Sequence, residues 1–117
     1  MFVRPVKFNY TFFLHLIFCF TAQHLVAQNT GKISGNVTEK DIPLEFVTVA
    51  LAKIADTNKI IFFTSTDTTG AFSFNNLEWG DYLVKFSFIG YKTAAKKISV
   101  TEMAPVIKME SYSMVKD

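Results

Sequence analysis

The sequence is poor in the residue types on which much enzyme chemistry depends. It contains one cysteine, one arginine and two histidines, and all four lie within the first 24 positions. Beyond them no disulfide can form, and the cysteine and histidine ligands that build most zinc sites are missing. Serine and cysteine nucleophiles usually rely on a histidine base, which is missing as well. We therefore expect a protein that is not an enzyme and that uses no metal and no cofactor.

The sequence also lacks an excess of charge of either sign beyond residue 27. The net charge of +2 comes from the first residues, since the remainder has ten lysines against five aspartates and five glutamates. A neutral chain has no general electrostatic attraction to nucleic acid or to an anionic membrane. We expect no nucleic-acid partner and no direct membrane binding through charge.

The N-terminal segment has the pattern of a secretory signal peptide. Arg4 and Lys7 precede an apolar run over residues 8–20, and the small residue Ala27 precedes Gln28. The run is shorter than the roughly 20 residues that a spanning helix needs, and polar residues interrupt it. We predict a signal peptide over residues 1–27 with cleavage between Ala27 and Gln28; the alternative is an uncleaved anchor.

Beyond residue 30 the apolar residues recur mainly with a period of two, which is typical of half-buried β-strands. The pattern predicts seven strands, at residues 32–38, 44–52, 59–66, 71–74, 82–88, 97–100 and 106–109. The third of these is apolar on both parities through Phe63, which predicts a central strand. Phe72 and Phe74 are expected to point inward after a tight turn, Asp67 to Gly70. Seven short strands without helical periodicity indicate a β-sandwich.

Five spaced segments carry a resemblance to a known family. They are ISGNV at residues 33–37, PLEFVTV at 43–49, DTTGAFSF at 67–74, LEWGDYLV at 77–84 and SFIGYK at 87–92. In this order they resemble the carboxypeptidase regulatory-like domain, over roughly residues 32–109. The resemblance implies an all-β, seven-stranded Greek-key sandwich of the transthyretin (prealbumin) type. It would occupy residues 28–110 and follow the signal peptide.

The same resemblance implies a function. Such a domain directly after a bacterial signal peptide is similar to the N-terminal extension of TonB-dependent outer-membrane receptors, and residues 111–117 look like the connector to the receptor plug. We therefore expect a non-catalytic interaction domain in the periplasm or on the periplasmic face of the outer membrane. Its partner would be a receptor plug or barrel or a periplasmic protein. A truncated receptor and a free periplasmic sandwich both fit, and the oligomeric state stays open.

Trp79 and Tyr91 are the candidate contact residues, because each follows a strand or a turn and aromatic rings stack on sugar rings. If the two rings lie coplanar and exposed, the alternative function is a stand-alone carbohydrate-binding module. The competing interpretation is that each ring covers one end of the sandwich. Lys96 and Lys97 are expected on an edge strand, where lysines discourage pairing between sheets.

Overall fold

The computed structural model describes residues 30–117, and within that range the chain forms nine β-strands and no α-helix. The strands are β1 (Gly31–Glu39), β2 (Ile42–Pro43), β3 (Thr48–Lys53), β4 (Asp56–Ser65), β5 (Ala71–Leu77), β6 (Gly80–Ser87), β7 (Ala94–Val100), β8 (Val106–Lys108) and β9 (Tyr112–Ser113). The predicted all-β sandwich is confirmed, with nine strands where seven were expected. The additional strands β2 and β9 have two residues each, too few for a periodicity to reveal. The signal peptide and its Ala27–Gln28 cleavage site lie outside the described residues.

Two sheets face each other across the core. In the first, Ile33 of β1 aligns with Phe74 of antiparallel β5 and with Ile107 of parallel β8, so β5 and β8 flank β1 on opposite sides. The short strands β2 and β9 extend these two flanks. The second sheet is antiparallel throughout, in the order β4, β3, β6, β7. In this sheet, β4 and β7 are therefore the edge strands.

The core lies between the inner faces of the two sheets. Most of its largest fully buried side chains come from β1, β3 and β6, whose alternation is clearest in the sequence, and the others are Val47, Leu77 and Val100. Phe72 and Phe74 are buried as predicted, and the Phe72 ring meets Phe86 edge to face at 5.6 Å between centroids. Tyr82 is also buried, and its hydroxyl donates a hydrogen bond to the Glu78 carbonyl.

The turn from Asp67 to Gly70 has the conformation that the sequence predicts. Gly70 has a φ of 76°, and Oδ1 of Asp67 accepts hydrogen bonds from Thr69 N at 2.8 Å, Thr69 Oγ1 at 2.7 Å and Ala71 N at 3.0 Å. These bonds lower the pKa of Asp67, because they stabilise the ionised carboxylate. The turn thus uses the Asp67 side chain for its own hydrogen bonds.

The C-terminal segment, expected as a connector over residues 111–117, lies on the sandwich. Met114 is buried, and its N–H donates to the Thr38 carbonyl at 2.8 Å. The Tyr112 ring stacks on Phe86 at 4.8 Å with 9° between the ring planes. The packed domain therefore extends beyond residue 110, because Tyr112 and Met114 cover one side of its core.

Within residues 30–117 no helix is long and apolar enough to cross a membrane.

Candidate interaction surface

The outer face of the second sheet has a floor of small side chains. Thr48 of β3 aligns with Ser65 of β4 and Ser87 of β6, and in the next row Ala50 aligns with Phe63 and Lys85. Because side chains alternate along each strand, both rows point away from the buried residues of β3. The result is a shallow apolar and hydroxyl-bearing floor between taller neighbours.

Phe46 stands at one end of this floor in a strained conformation. Its φ is 66°, a left-handed value that is unusual for a bulky residue, and its side chain is 69% exposed. Such a conformation costs of order 1–3 kcal/mol and persists where the surrounding structure enforces it. The exposed ring itself gains little burial in return.

Thr66, which is buried, enforces the conformation of the loop that carries Phe46. The Thr66 hydroxyl donates to the Leu44 carbonyl at 2.6 Å and accepts a hydrogen bond from Val47 N at 2.9 Å. The Phe46 N–H donates to the Thr66 carbonyl at 3.0 Å, and Thr66 N–H donates to the Val47 carbonyl at 3.0 Å. Four hydrogen bonds therefore hold this loop to a single buried residue.

Ile89 and Phe88 form the other side of an open groove. Ile89 is 97% exposed, and the groove has a volume of about 430 Å³ and is lined by Phe46, Thr48, Ser87, Phe88 and Ile89. We call these five residues the aromatic groove. It shares Ser87 with a second depression of about 480 Å³ that continues over Ala50 and the start of β7. The two shallow depressions meet at Ser87, and Lys85 lines the second.

Tyr91 supports the wall of the aromatic groove. Its ring stacks on Phe88 at 5.5 Å with 8° between the planes, and its hydroxyl donates to the Glu39 carboxylate. This hydrogen bond raises the pKa of Tyr91 and, together with Lys116 at 3.6 Å, lowers the pKa of Glu39. Of the two predicted contact residues, Tyr91 therefore lies beside the groove, with one ring face covered by Phe88.

Trp79 lies at the opposite end of β6 from Tyr91. The eight residues of β6 separate them by roughly 25 Å at about 3.3 Å per residue. Trp79 is half-buried and packs against the core. The structure does not bring the two rings together, so they form no shared platform for a sugar ring, and the geometry adds no support for the carbohydrate-binding alternative.

The residues that define the surface were not among the predicted contacts. Phe63 was expected in a central strand, and this was wrong: β4 is an edge strand and Phe63 is 78% exposed. Apolar residues at both odd and even positions suggest a strand that is buried on both faces. Periodicity cannot reveal whether other parts of the protein cover those faces, or whether the strand lies at the centre or the edge of its sheet. For Phe46, the available signal was an aromatic residue in a connection between Pro43 and β3.

The described residues offer no cluster for metal binding. Among residues 30–117 no group of three or more histidine, cysteine, aspartate or glutamate side chains lies close enough to hold a metal ion.

Comparison with known proteins identifies the domain. The family model described as the CarboxypepD_reg-like domain matches residues 33–115. The sequence matches none of the curated proteins.

Solved structures with a similar fold come from unrelated settings. BcpA, the major pilin subunit of Bacillus cereus, has 14% identity and a TM-score of 0.61, with 76% of this chain and 31% of the pilin covered. One chain of a type II cohesin-X-dockerin complex of Acetivibrio cellulolyticus has 20% identity and a TM-score of 0.56, with 74% of this chain and 58% of that chain covered. The 3-chlorocatechol 1,2-dioxygenase of Rhodococcus opacus has 10% identity and a TM-score of 0.55, with 78% of this chain and 61% of the dioxygenase covered. The chain spans about a third to three-fifths of these proteins, and at such identities the likeness is one of fold.

Proposed function

This chain belongs to the carboxypeptidase regulatory-like domain family, and we propose that it is a non-catalytic interaction module that binds a protein partner through the aromatic groove. The observation that carries the proposal is Phe46, an exposed aromatic side chain held at a positive φ by the buried Thr66. Strain of this kind is typical of functional sites. Aromatic residues are also enriched in the cores of protein interfaces.

A non-catalytic role is supported by residue chemistry. Beyond residue 27 there is no histidine, cysteine or arginine. The groove itself is lined by phenylalanine, isoleucine and two hydroxyl residues, with no acid or base among its five members. General acid–base chemistry needs a titratable group within hydrogen-bond reach of the reacting atom. The dioxygenase likeness concerns the fold alone.

The cellular setting is proposed from the N-terminal sequence pattern and from the family resemblance. A signal peptide over residues 1–27 would export the domain to the periplasm or to the periplasmic face of the outer membrane. There it would act as the N-terminal extension of a TonB-dependent receptor. The partner would be the receptor plug or barrel or another periplasmic protein.

Photo-crosslinking in cells tests this proposal. Benzoylphenylalanine placed at Phe46 keeps an aromatic ring in the groove, and the matched control places it at Val106, which is 64% exposed on β8 of the other sheet. We expect a discrete adduct with an outer-membrane or periplasmic protein at Phe46 and none at Val106. Equal adducts at both positions, or adducts at Val106 alone, would contradict the proposal.

A further inference from the structure

The outer edge of β4 is an open strand edge. With ten residues, β4 is the longest of the nine strands, and within residues 30–117 it pairs with β3 alone. Its register with β3 is regular from Phe62 to Ser65 and shifts further toward Asp56. The N–H and C=O groups that point away from β3 in the regular part are therefore available to another strand.

The side chains of this edge do not protect it. Ile60, Phe62 and Phe63 are all exposed, and Lys59 is the single charged residue between Asn58 and Ser65. The opposite edge of the same sheet is different, because β7 carries the exposed lysines Lys96 and Lys97 as the sequence predicts. Edge lysines are a common device against strand addition, and only one of the two edges has them side by side.

We propose that the β4 edge binds an extended segment of a protein partner, which adds to the sheet as a further strand beside Phe62 to Ser65. The inference rests on the proposed function in one respect, that the domain acts by binding protein. It uses the free edge of β4, which borders the aromatic groove where Ser65 aligns with Thr48 but contributes none of the five groove residues. Main-chain hydrogen bonds would supply affinity, and the exposed Phe63 side chain, which aligns with Ala50 on the outer face, would select apolar residues at alternate positions of the segment.

The apolar area favours an extended segment over a second copy of the domain. The exposed parts of Ile60, Phe62 and Phe63 amount to on the order of 300 Å². A stable dimer between folded domains needs about 800 Å² on each partner. Two rigid sandwiches meeting at this edge would bury less than half of that from these side chains. An extended segment gains the same backbone hydrogen bonds of β4 without needing so large an interface.

Charge defines the chemistry of the segment further. Lys85 reaches across the outer face and its Nζ donates to the Thr57 carbonyl of β4 at 2.5 Å, and Lys59 is exposed on the strand itself. The acid of this strand, Asp56, accepts a hydrogen bond from Asn58 N at 3.3 Å at the start of β4. Two ammonium groups near the start of β4 favour a segment that carries acidic residues as well as apolar ones.

Binding of a designed peptide to the purified protein tests the inference. The probe is a short fluorescein-labelled peptide of alternating valine and glutamate, with alternating valine and lysine as the charge control. We expect saturable binding of the glutamate peptide, at least about tenfold weaker binding of the lysine peptide, and slower amide hydrogen exchange confined to residues 60–65. Phe63→Lys should weaken binding at least about tenfold, whereas Met103→Lys, an exposed apolar residue in a loop, should leave it unchanged.

Four results would overturn the inference. These are absence of binding at millimolar peptide, protection at β5 or β7 in place of β4, equal binding of the two peptides, and concentration-dependent dimerisation that protects β4 without peptide. Phe46→Ala serves as the discriminating variant. For this variant the benzoylphenylalanine is placed at Ile89, which is 97% exposed in the same groove. If Phe46→Ala abolishes cellular crosslinking from Ile89 but leaves peptide binding intact, the two surfaces act separately, and failure of one proposal is distinguished from failure of the other.

Discussion

Replacing Thr66 with valine removes the hydroxyl that holds the 44–47 loop and leaves the side-chain shape almost unchanged. Two hydrogen bonds are lost, one of 2.6 Å to the Leu44 carbonyl and one of 2.9 Å from Val47 N. Val47 is fully buried and Leu44 is half-buried, so neither group is freely solvated after the change. A buried polar group left without a partner costs roughly 1–3 kcal/mol. We expect Thr66→Val to lower the free energy of unfolding by about 2–4 kcal/mol.

Urea denaturation followed by circular dichroism measures this change, with the midpoint compared at constant slope. Thr66→Ser keeps the hydroxyl and loses one methyl group, so it should cost only about 1 kcal/mol. Thr64→Val, at a half-buried position of β4, should change the free energy of unfolding by less than about 0.5 kcal/mol. The reasoning is refuted if Thr66→Val unfolds within 0.5 kcal/mol of the parent, or if Thr66→Ser is as destabilised as Thr66→Val.

Three further predictions concern the turns. Lys40 and Asp41 form a two-residue hairpin turn with φ values of 47° and 68°. Asparagine and glycine adopt these values more easily, so Lys40→Asn combined with Asp41→Gly should raise the free energy of unfolding, measured in urea, by about 1 kcal/mol, and a decrease would contradict this turn assignment. Gly70→Ala should destabilise by roughly 2 kcal/mol or more, because φ is 76° and the new Cβ would clash with the Val37 carbonyl; an unchanged denaturation midpoint would argue against it. The pKa of Asp67 is lower in the folded protein than in the unfolded chain, so the stability that Asp67 contributes is complete above the ordinary aspartate pKa and is lost as pH falls through the folded pKa. Asp67→Asn should therefore flatten the decline of the unfolding free energy below about pH 5, and an unaltered pH dependence would be inconsistent with this role.

Much of the sandwich could be predicted from the sequence because its inner strands obey simple alternation. In β6, Tyr82, Val84 and Phe86 share one face and all three are buried. The turn at Gly70 was predictable for a similarly local reason, since glycine tolerates positive φ without a steric cost. These features depend on neighbouring residues in the chain and are visible without knowledge of strand order.

The features that were not predicted depend on strand order. The apolar β4 segment has the composition of a central strand, yet it pairs with a neighbouring strand on one side only, and Phe63 is exposed. The packing of the tail on the sandwich was not predicted, because a two-residue strand parallel to β1 leaves little periodic signal. The strained Phe46 depends on Thr66, which lies twenty positions away, and no local pattern reports such a contact.

The central claim is that the aromatic groove binds a protein partner of this domain. The most direct test uses the partner identified by crosslinking and measures its affinity for two double variants of the domain. Each double variant removes two exposed apolar side chains. Phe46→Ala with Ile89→Ala removes the two rims of the groove, and Met103→Ala with Val106→Ala removes side chains of comparable exposure elsewhere. We predict at least about tenfold weaker binding for the groove variant and unchanged binding for the other. Equal affinities for the two variants would contradict the claim.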